Sequence, residues 1–234
     1  MGMHDGHRER MRERYMQHGG NAFSKHEFVE MILYYCYPRQ DTNEMAHRLL
    51  DAFGGSVTRL VFSDPKTIAK LGGISERAAM LFSLIGESNR IMDIEKWDKA
   101  IVLDNTAVAG EYAKSYLHGL NVEKLYVVSM DNAYRVRSCT NAVTGTVVSA
   151  QLEMRRLVEI AVNNKAANIM LMHNHPSGIA KPSYEDIAMT SKACEALKPI
   201  GIELYDHIIV AGENYFSFRK NELINKIKGE MSDE

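Results

Sequence analysis

The chain has 234 residues, of which 45% are hydrophobic and 25% charged, and its formal net charge is −2. This composition is typical of a globular protein and excludes a collagen-like or low-complexity chain. No apolar run approaches the roughly 20 residues of a membrane-spanning helix, and the charged N-terminal residues lack the apolar stretch of a secretory signal. We therefore expect a cytoplasmic protein with no membrane partner.

The first part of the chain, residues 1–95, is predicted to be an all-helical domain. Ser24 and Glu27 have the spacing of a capping box at the start of a helix, and apolar residues then recur at helical intervals. Pro38 ends that helix, and Asp41 is expected to cap the next one. This part carries 12 basic and 13 acidic residues. Its bulk charge therefore does not indicate a nucleic-acid-binding domain.

A local cluster of arginines stands out from this neutral background. It lies near the N-terminus and comprises Arg8, Arg10, Arg12 and Arg14. Glutamates alternate with these arginines, which is typical of a solvated helix face. The other interpretation is an arm that contacts phosphate groups, and the sequence alone leaves both open.

The second part, residues 104–228, changes to a pattern of alternating helices and strands. We predict helices over 106–118, 152–164 and 184–197, strands over 125–130 and 168–172, β-like segments over 134–139 and 143–149, and a C-terminal hairpin around residues 212–214. Residues 92–104, which include Trp97, are interpreted as a linker. The expected fold class is α+β: a helical domain, then an α/β domain with a mixed sheet flanked by helices.

Three residues in the second domain have the spacing of metal ligands. His173 and His175 are two apart at the end of a buried strand, so both imidazoles point to one side of an extended backbone. Asp186 follows in the first turn of a helix that Ser183 opens. Two imidazoles and a carboxylate leave a fourth position open, as in a catalytic zinc site. The simpler alternatives are two surface histidines and an aspartate that only caps its helix.

The same segment resembles a known signature. His-x-His followed by ten residues and Asp, with Pro-Ser just before that Asp, resembles the JAMM motif of JAB/MPN metalloproteases. The text HNHPSG with a later DHIIV is similar to the RadC family of bacterial proteins, and so are GHRERMRERY and GTVVSA. This resemblance covers almost the whole chain. It implies a cytidine-deaminase-like fold for the second domain and a helix-hairpin-helix-like first domain.

The resemblance also implies roles for individual residues. His173, His175 and Asp186 would hold Zn²⁺, and Ser183 would hydrogen-bond the oxyanion or the attacking water. Glu123, at the start of a strand, would be the general base of a metallopeptidase or isopeptidase that hydrolyses an amide bond in a protein or peptide. Glu153 is a reserve candidate for the base. His207 would be either a hydrogen-bonded core histidine or a partner of a ligand.

An alternative function belongs to a different class. Gly72-Gly73-Ile74-Ser75 resembles the turn of a helix-hairpin-helix motif, whose backbone N–H groups bind DNA phosphates. Ser75 departs from that motif, because a glycine is expected there. The alternative is a DNA-associated repair or recombination accessory protein that binds DNA weakly through its helical domain and whose metal site is not catalytic. The sequence does not determine the substrate or the oligomeric state.

Overall fold

The computed structural model describes residues 3–97, 101–144 and 150–230. The chain divides into two compact units, Met1–Asn89 and Arg90–Glu234. This division lies within a helix, whereas the sequence placed the end of the first domain at residue 95. Residues 98–100 of the predicted linker and 145–149 of the last predicted β-like segment lie outside the described residues.

The first unit is built from helices, as predicted. Their bounds are Met3–His18 (α1), Lys25–Tyr34 (α2), Asn43–Ala52 (α3), Val57–Val61 (α4), Pro65–Gly72 (α5) and Glu76–Glu95 (α6). The predicted capping box at Ser24 and Glu27 is present at the start of α2. Asp64 caps α5 through the backbone N–H groups of Lys66 and Thr67. The buried core of this unit draws on α2 to α6.

The expected cap of α3 is wrong by one residue. The helix begins at Asn43, and the residue in the N-cap position is Thr42, whose side chain makes no capping hydrogen bond. Asp41 still contributes, since its Oδ1 accepts a hydrogen bond from the Asn43 N–H at 3.0 Å. The carboxylate therefore satisfies one free N–H of the first turn from a position just before the helix.

Two of the N-terminal arginines make internal contacts. The Arg8 side chain is buried, donates to the backbone carbonyls of Tyr37, Pro38 and Gln40, and stacks on the ring of Tyr34. It thereby satisfies carbonyl groups just beyond the C-terminal end of α2. Arg14 donates to Glu27 at 2.6 Å. These two guanidinium groups thus hold α1 against α2, and neither is a free charge on a solvated face.

The glycine turn between α5 and α6 is closed by a tyrosine. Gly73 adopts a left-handed conformation with φ of 61°, which ends α5. The Ser75 N–H donates to the Tyr37 hydroxyl at 2.7 Å, and that hydroxyl donates to Ser75 Oγ at 3.0 Å. Ser75 Oγ also accepts from the Ala78 N–H. The N–H groups of Ser75 and Ala78 at this turn are therefore paired within the unit.

The second unit contains a five-stranded mixed sheet. Its strands are Lys124–Met130 (β1), Val136–Thr144 (β2), Asn168–Asn174 (β3), Glu203–Ala211 (β4) and Asn214–Ser217 (β5), in the order β2-β1-β3-β4-β5. Only β3 and β4 are parallel, and the other pairs are antiparallel. The two β-like segments predicted around residue 140 are one strand as far as the described residues extend. The predicted α+β fold class is confirmed.

Helices cover both faces of this sheet. They are Thr106–Leu117 (α7), Ala150–Asn163 (α8), Tyr184–Leu197 (α9) and Leu223–Glu230 (α10). Strand β3 is buried along its whole length, and its side chains alternate between two cores. Met170 and Met172 pack with α7, whereas Ile169 and Leu171 pack with α8, α9 and α10. His173 continues the second set and therefore faces the side of α9.

The parallel pair β3 and β4 is joined by α9, as a parallel connection requires. This crossover brings the carboxyl end of β3, the N-terminus of α9 and the middle of β4 together, and α/β folds commonly bind ligands at such a place. Among the described residues, no helix combines the length and the apolar character needed to span a bilayer.

Candidate metal centre

The two predicted histidines meet at the end of β3. Nε2 of His173 lies 2.9 Å from Nε2 of His175, so both rings point to the same side, as the spacing predicted. Nδ1 of His175 lies 3.0 Å from the backbone carbonyl of Ile179. Because a carbonyl oxygen only accepts, the hydrogen of a neutral His175 is on Nδ1, and its Nε2 presents a lone pair.

The predicted aspartate completes this group. Oδ1 of Asp186 lies 3.0 Å from Nε2 of His173, and Oδ2 lies 3.4 Å from Nε2 of His175. The simpler interpretation of Asp186, as a helix cap, is confirmed, since Ser183 and Asp186 form a capping box at the start of α9. Both the backbone N–H and the hydroxyl of Ser183 donate to Oδ2 at 2.7 Å. Oδ2 therefore caps the helix and also lies near His175, while Oδ1 faces His173.

The Asp186 carboxyl group is strongly acidic in this setting. Burial by itself would raise its pKa. A protonated His173, whose Nε2–H can donate to Asp186 and whose ring is then positively charged, and the hydrogen bonds from Ser183 outweigh burial and hold the pKa of Asp186 well below its usual range. Asp186 is therefore a carboxylate at neutral pH, which is the form that binds a cation.

Glu123 reaches the same group from the neighbouring strand. It directly precedes β1, and the antiparallel register pairs Leu125 with His173. Continuing that register by two residues places Glu123 opposite His175. A carboxylate oxygen of Glu123 and a ring nitrogen of each histidine lie within 4.8 Å of one another, and the Glu123 side chain is exposed. The reserve candidate, Glu153, has a side chain outside the described part of the chain.

Asn174, between the two histidines, fastens the segment that carries Glu123. Its Oδ1 accepts from the Lys124 N–H at 2.9 Å, and its Nδ2 donates to the carbonyls of Leu120 and Val122. The side chain is buried. The sequence around Asn174 does not predict this role, because an asparagine before a proline-containing loop is typical of a turn.

His207 is a hydrogen-bonded core histidine, and it also contacts His173, a predicted ligand. It is fully buried in the core of β4, and its Nε2 lies 2.9 Å from Nδ1 of His173. Its Nδ1 lies 2.8 Å from Thr190 Oγ1. Complete burial, and then the charge of His173, lower the pKa of His207 well below its usual value, so it is neutral at pH 7. Thr190 was missed, although it lies four residues after Asp186 on the same helix face.

The residues present fit a zinc ion. Two imidazole nitrogens and a carboxylate are ligands that zinc accepts, and three protein ligands leave one position open. Ligand atoms bound to a tetrahedral zinc ion lie about 3.3 Å apart, since each is roughly 2.0–2.1 Å from the metal. The distances of 2.9, 3.0 and 3.4 Å between the His173, His175 and Asp186 atoms are close to that value.

The fold and the site define an α+β protein with a candidate metal centre. A His-x-His pair at the end of the central strand of a mixed sheet forms this centre together with two nearby carboxylates. Residues 103–223, slightly more than half of the chain, match the family described as RadC-like JAB domain. The chain belongs to this family.

Proteins from several bacteria are similar to this chain over most of its length. A UPF0758 protein of Fusobacterium nucleatum is 29% identical over 226 residues, which is 94% of this chain and 97% of the relative. UPF0758 proteins of Rhodobacter capsulatus and Ruegeria pomeroyi are 28% and 29% identical, over 92% and 91% of this chain and 100% and 95% of their own lengths. The similarity thus includes the helical unit, and these names state no activity.

Proposed function

We propose that the protein is a zinc-dependent hydrolase of amide bonds in a protein or peptide, with His173, His175 and Asp186 as the zinc ligands. One observation carries this proposal: Nε2 of His173, Nε2 of His175 and the two carboxylate oxygens of Asp186 converge, with neighbouring atoms 2.9–3.4 Å apart. In the tautomers in which both ring nitrogens present lone pairs, this cluster contains only acceptors and is unfavourable unless a cation balances it. Zinc supplies Lewis acidity, which polarises a carbonyl group and acidifies water.

Glu123 is the general base in this proposal. Its carboxylate is exposed to solvent, yet it lies within 4.8 Å of the histidine nitrogens, so water and a substrate amide can both reach it. It takes a proton from the attacking water and delivers that proton to the leaving amine. The hydrogen bonds of Asn174 to residues on both sides of Glu123 hold the backbone that carries this carboxylate.

Ser183 has two proposed roles, and both require the single hydrogen of its hydroxyl group. Its hydroxyl donates to Oδ2 of Asp186, which orients that carboxylate. A hydroxyl has one hydrogen, so donation to the oxyanion of a tetrahedral intermediate requires Ser183 to exchange Asp186 for the substrate. The backbone N–H of Ser183 also donates to Oδ2, so the carboxylate stays bonded during that exchange.

The test combines metal content with turnover. Protein purified without chelator should contain close to one zinc per chain, measured by mass spectrometry, and His173→Ala should lose it. Glu123→Gln should keep its zinc and lose about 10²–10⁴-fold in the rate of hydrolysis of a peptide and isopeptide library. Loss of zinc in this variant would make Glu123 a ligand instead. Folded native protein that takes up no zinc contradicts the proposal.

A further inference from the structure

A chain of three hydrogen bonds runs through the core behind the candidate metal centre. It begins at the backbone carbonyl of Asp186, which lies 2.5 Å from Thr190 Oγ1. Thr190 Oγ1 lies 2.8 Å from Nδ1 of His207, and Nε2 of His207 lies 2.9 Å from Nδ1 of His173. Thr190 and His207 are fully buried, and His173 is 2% exposed.

The carbonyl at one end determines the direction of every hydrogen bond in the chain. It has no hydrogen, so the close contact of the two oxygens requires the Thr190 hydroxyl to donate. That hydroxyl then has only lone pairs left for His207, whose Nδ1 must carry the hydrogen. The Nε2 of a neutral His207 is consequently an acceptor, and Nδ1 of His173 donates to it.

The remaining nitrogen of His173 is thereby determined. With its hydrogen on Nδ1, a neutral His173 presents the lone pair of Nε2 to Asp186 and His175. The reverse direction would put a hydrogen on this Nε2 and block it as a ligand. It would also leave the Asp186 carbonyl facing a lone pair of Thr190 at 2.5 Å, which is repulsive.

We infer that Thr190 and His207 are positioning residues that hold His173 in the one tautomer able to bind a metal through Nε2. Helix α9 thus contributes twice, because Asp186 is a proposed ligand and Thr190, one turn later, orients another. The ring of His207 stacks on the ring of Phe218, with centroids 4.8 Å apart, and this contact restricts the orientation of the imidazole. The inference rests on the proposed metal site, but the tautomers can be measured without any metal.

The first experiment uses native, metal-free protein at pH 8. Two-bond ¹H–¹⁵N correlation spectra distinguish the protonated nitrogen of each histidine ring. We expect both His173 and His207 to carry their hydrogen on Nδ1. A hydrogen on Nε2 of either residue overturns the inference, whether or not the protein binds zinc.

The second experiment separates the Thr190 hydroxyl from its shape. Thr190→Val keeps the volume and removes the hydroxyl, and Thr190→Ser is the matched control that keeps the hydroxyl. We expect the valine variant to show mixed tautomers of His207 and to bind zinc about 10–100-fold more weakly, by competition with a chromophoric chelator. The serine variant should behave as the native protein does. Equal zinc affinity of native and valine proteins, both folded by circular dichroism, overturns the inference.

The two proposals fail separately. If native protein takes up no zinc, the proposed function is wrong, and the tautomers of the metal-free protein still decide on the hydrogen-bond chain. If zinc binds and the tautomers differ from those expected, the metal site stands and the role of Thr190 and His207 is refuted.

Discussion

Each unit contains a capping box, and the two boxes share the same hydrogen bonds but differ in the partner of the second carboxylate oxygen. At the start of α2, Glu27 uses Oε2 to accept from Ser24 and Oε1 to accept from Arg14 at 2.6 Å. At the start of α9, Asp186 uses Oδ2 to accept from Ser183 and Oδ1 to face His173 at 3.0 Å. In each box one carboxylate oxygen completes the helix and the other is free for a partner.

The partner of the second oxygen distinguishes the two boxes. Glu27 meets a cation of its own chain, and its side chain remains 26% exposed, so the box is complete as a structural device. Asp186 is buried and meets imidazole nitrogens that can present lone pairs, which leaves its charge to be balanced. A capping box is therefore compatible with a ligand role, and the two interpretations of Asp186 do not compete.

The largest expected effect comes from removing the charge of one box at a time. Asp186→Asn should weaken zinc binding by more than about 100-fold, which exceeds the usual cost of losing an outer hydrogen-bond partner. Glu27→Gln is the matched control and should leave zinc affinity unchanged. Chelator competition measures both. Equal affinities of the two variants would show that the boxes do not differ in this way.

A smaller effect is expected from removing the two capping hydroxyls. Ser24→Ala should cost about 1 kcal/mol of stability, as is usual for an N-cap serine. Ser183→Ala should cost more, about 2 kcal/mol, because the buried Asp186 also loses a donor. Trp97, the only tryptophan, reports urea unfolding of the second unit, and amide exchange in α2 reports the first. A larger loss for Ser24→Ala would reverse the comparison.

The smallest effect concerns pH and the exposed box. The hydrogen bond from Arg14, followed by that from the Ser24 N–H, lowers the pKa of Glu27 to about 2. A lowered pKa in the folded state stabilises above the unfolded value of 4.5, and this contribution is lost as pH falls from there toward 2. We expect less than about 1 kcal/mol, since the pair is partly exposed.

The measurement is the urea concentration at the midpoint of unfolding, for native protein and for Glu27→Gln, between pH 5 and pH 2. Hydrogen exchange of the α2 amides is the probe of unfolding. The native midpoint should fall more steeply than that of the variant as acid is added. Parallel curves would mean that the pair contributes nothing measurable.

Features that depend on local sequence were predicted well. Helix α9 has the predicted bounds, because Ser183 supplies an N-cap that the spacing to Asp186 reveals. The shared direction of His173 and His175 follows from strand geometry alone. Glu123 was expected at a strand start, and it directly precedes β1. Its distance from the histidines depends on how β1 and β3 align, which local pattern does not specify.

Contacts between distant residues were not predictable in the same way. His207 lies 34 residues after His173, and the parallel pairing of β3 and β4 brings them together. Nothing in the residues around Arg8 indicates that it binds three carbonyl groups beyond α2, because an arginine among glutamates is typical of an exposed face. Such contacts depend on the packing of whole elements.

Asn174 and the histidines on either side of it have separate roles because their side chains lie on opposite faces of the strand. Alternation along β3 sends the side chains on either side of it to one face and its own amide to the other. The amide can therefore hydrogen-bond to the backbone of Leu120 and Lys124, at the start of β1, without contacting the two imidazoles. This short segment thus positions both the two imidazoles and the backbone that carries Glu123. The distance between the imidazoles and their distance to the Glu123 carboxylate are therefore coupled.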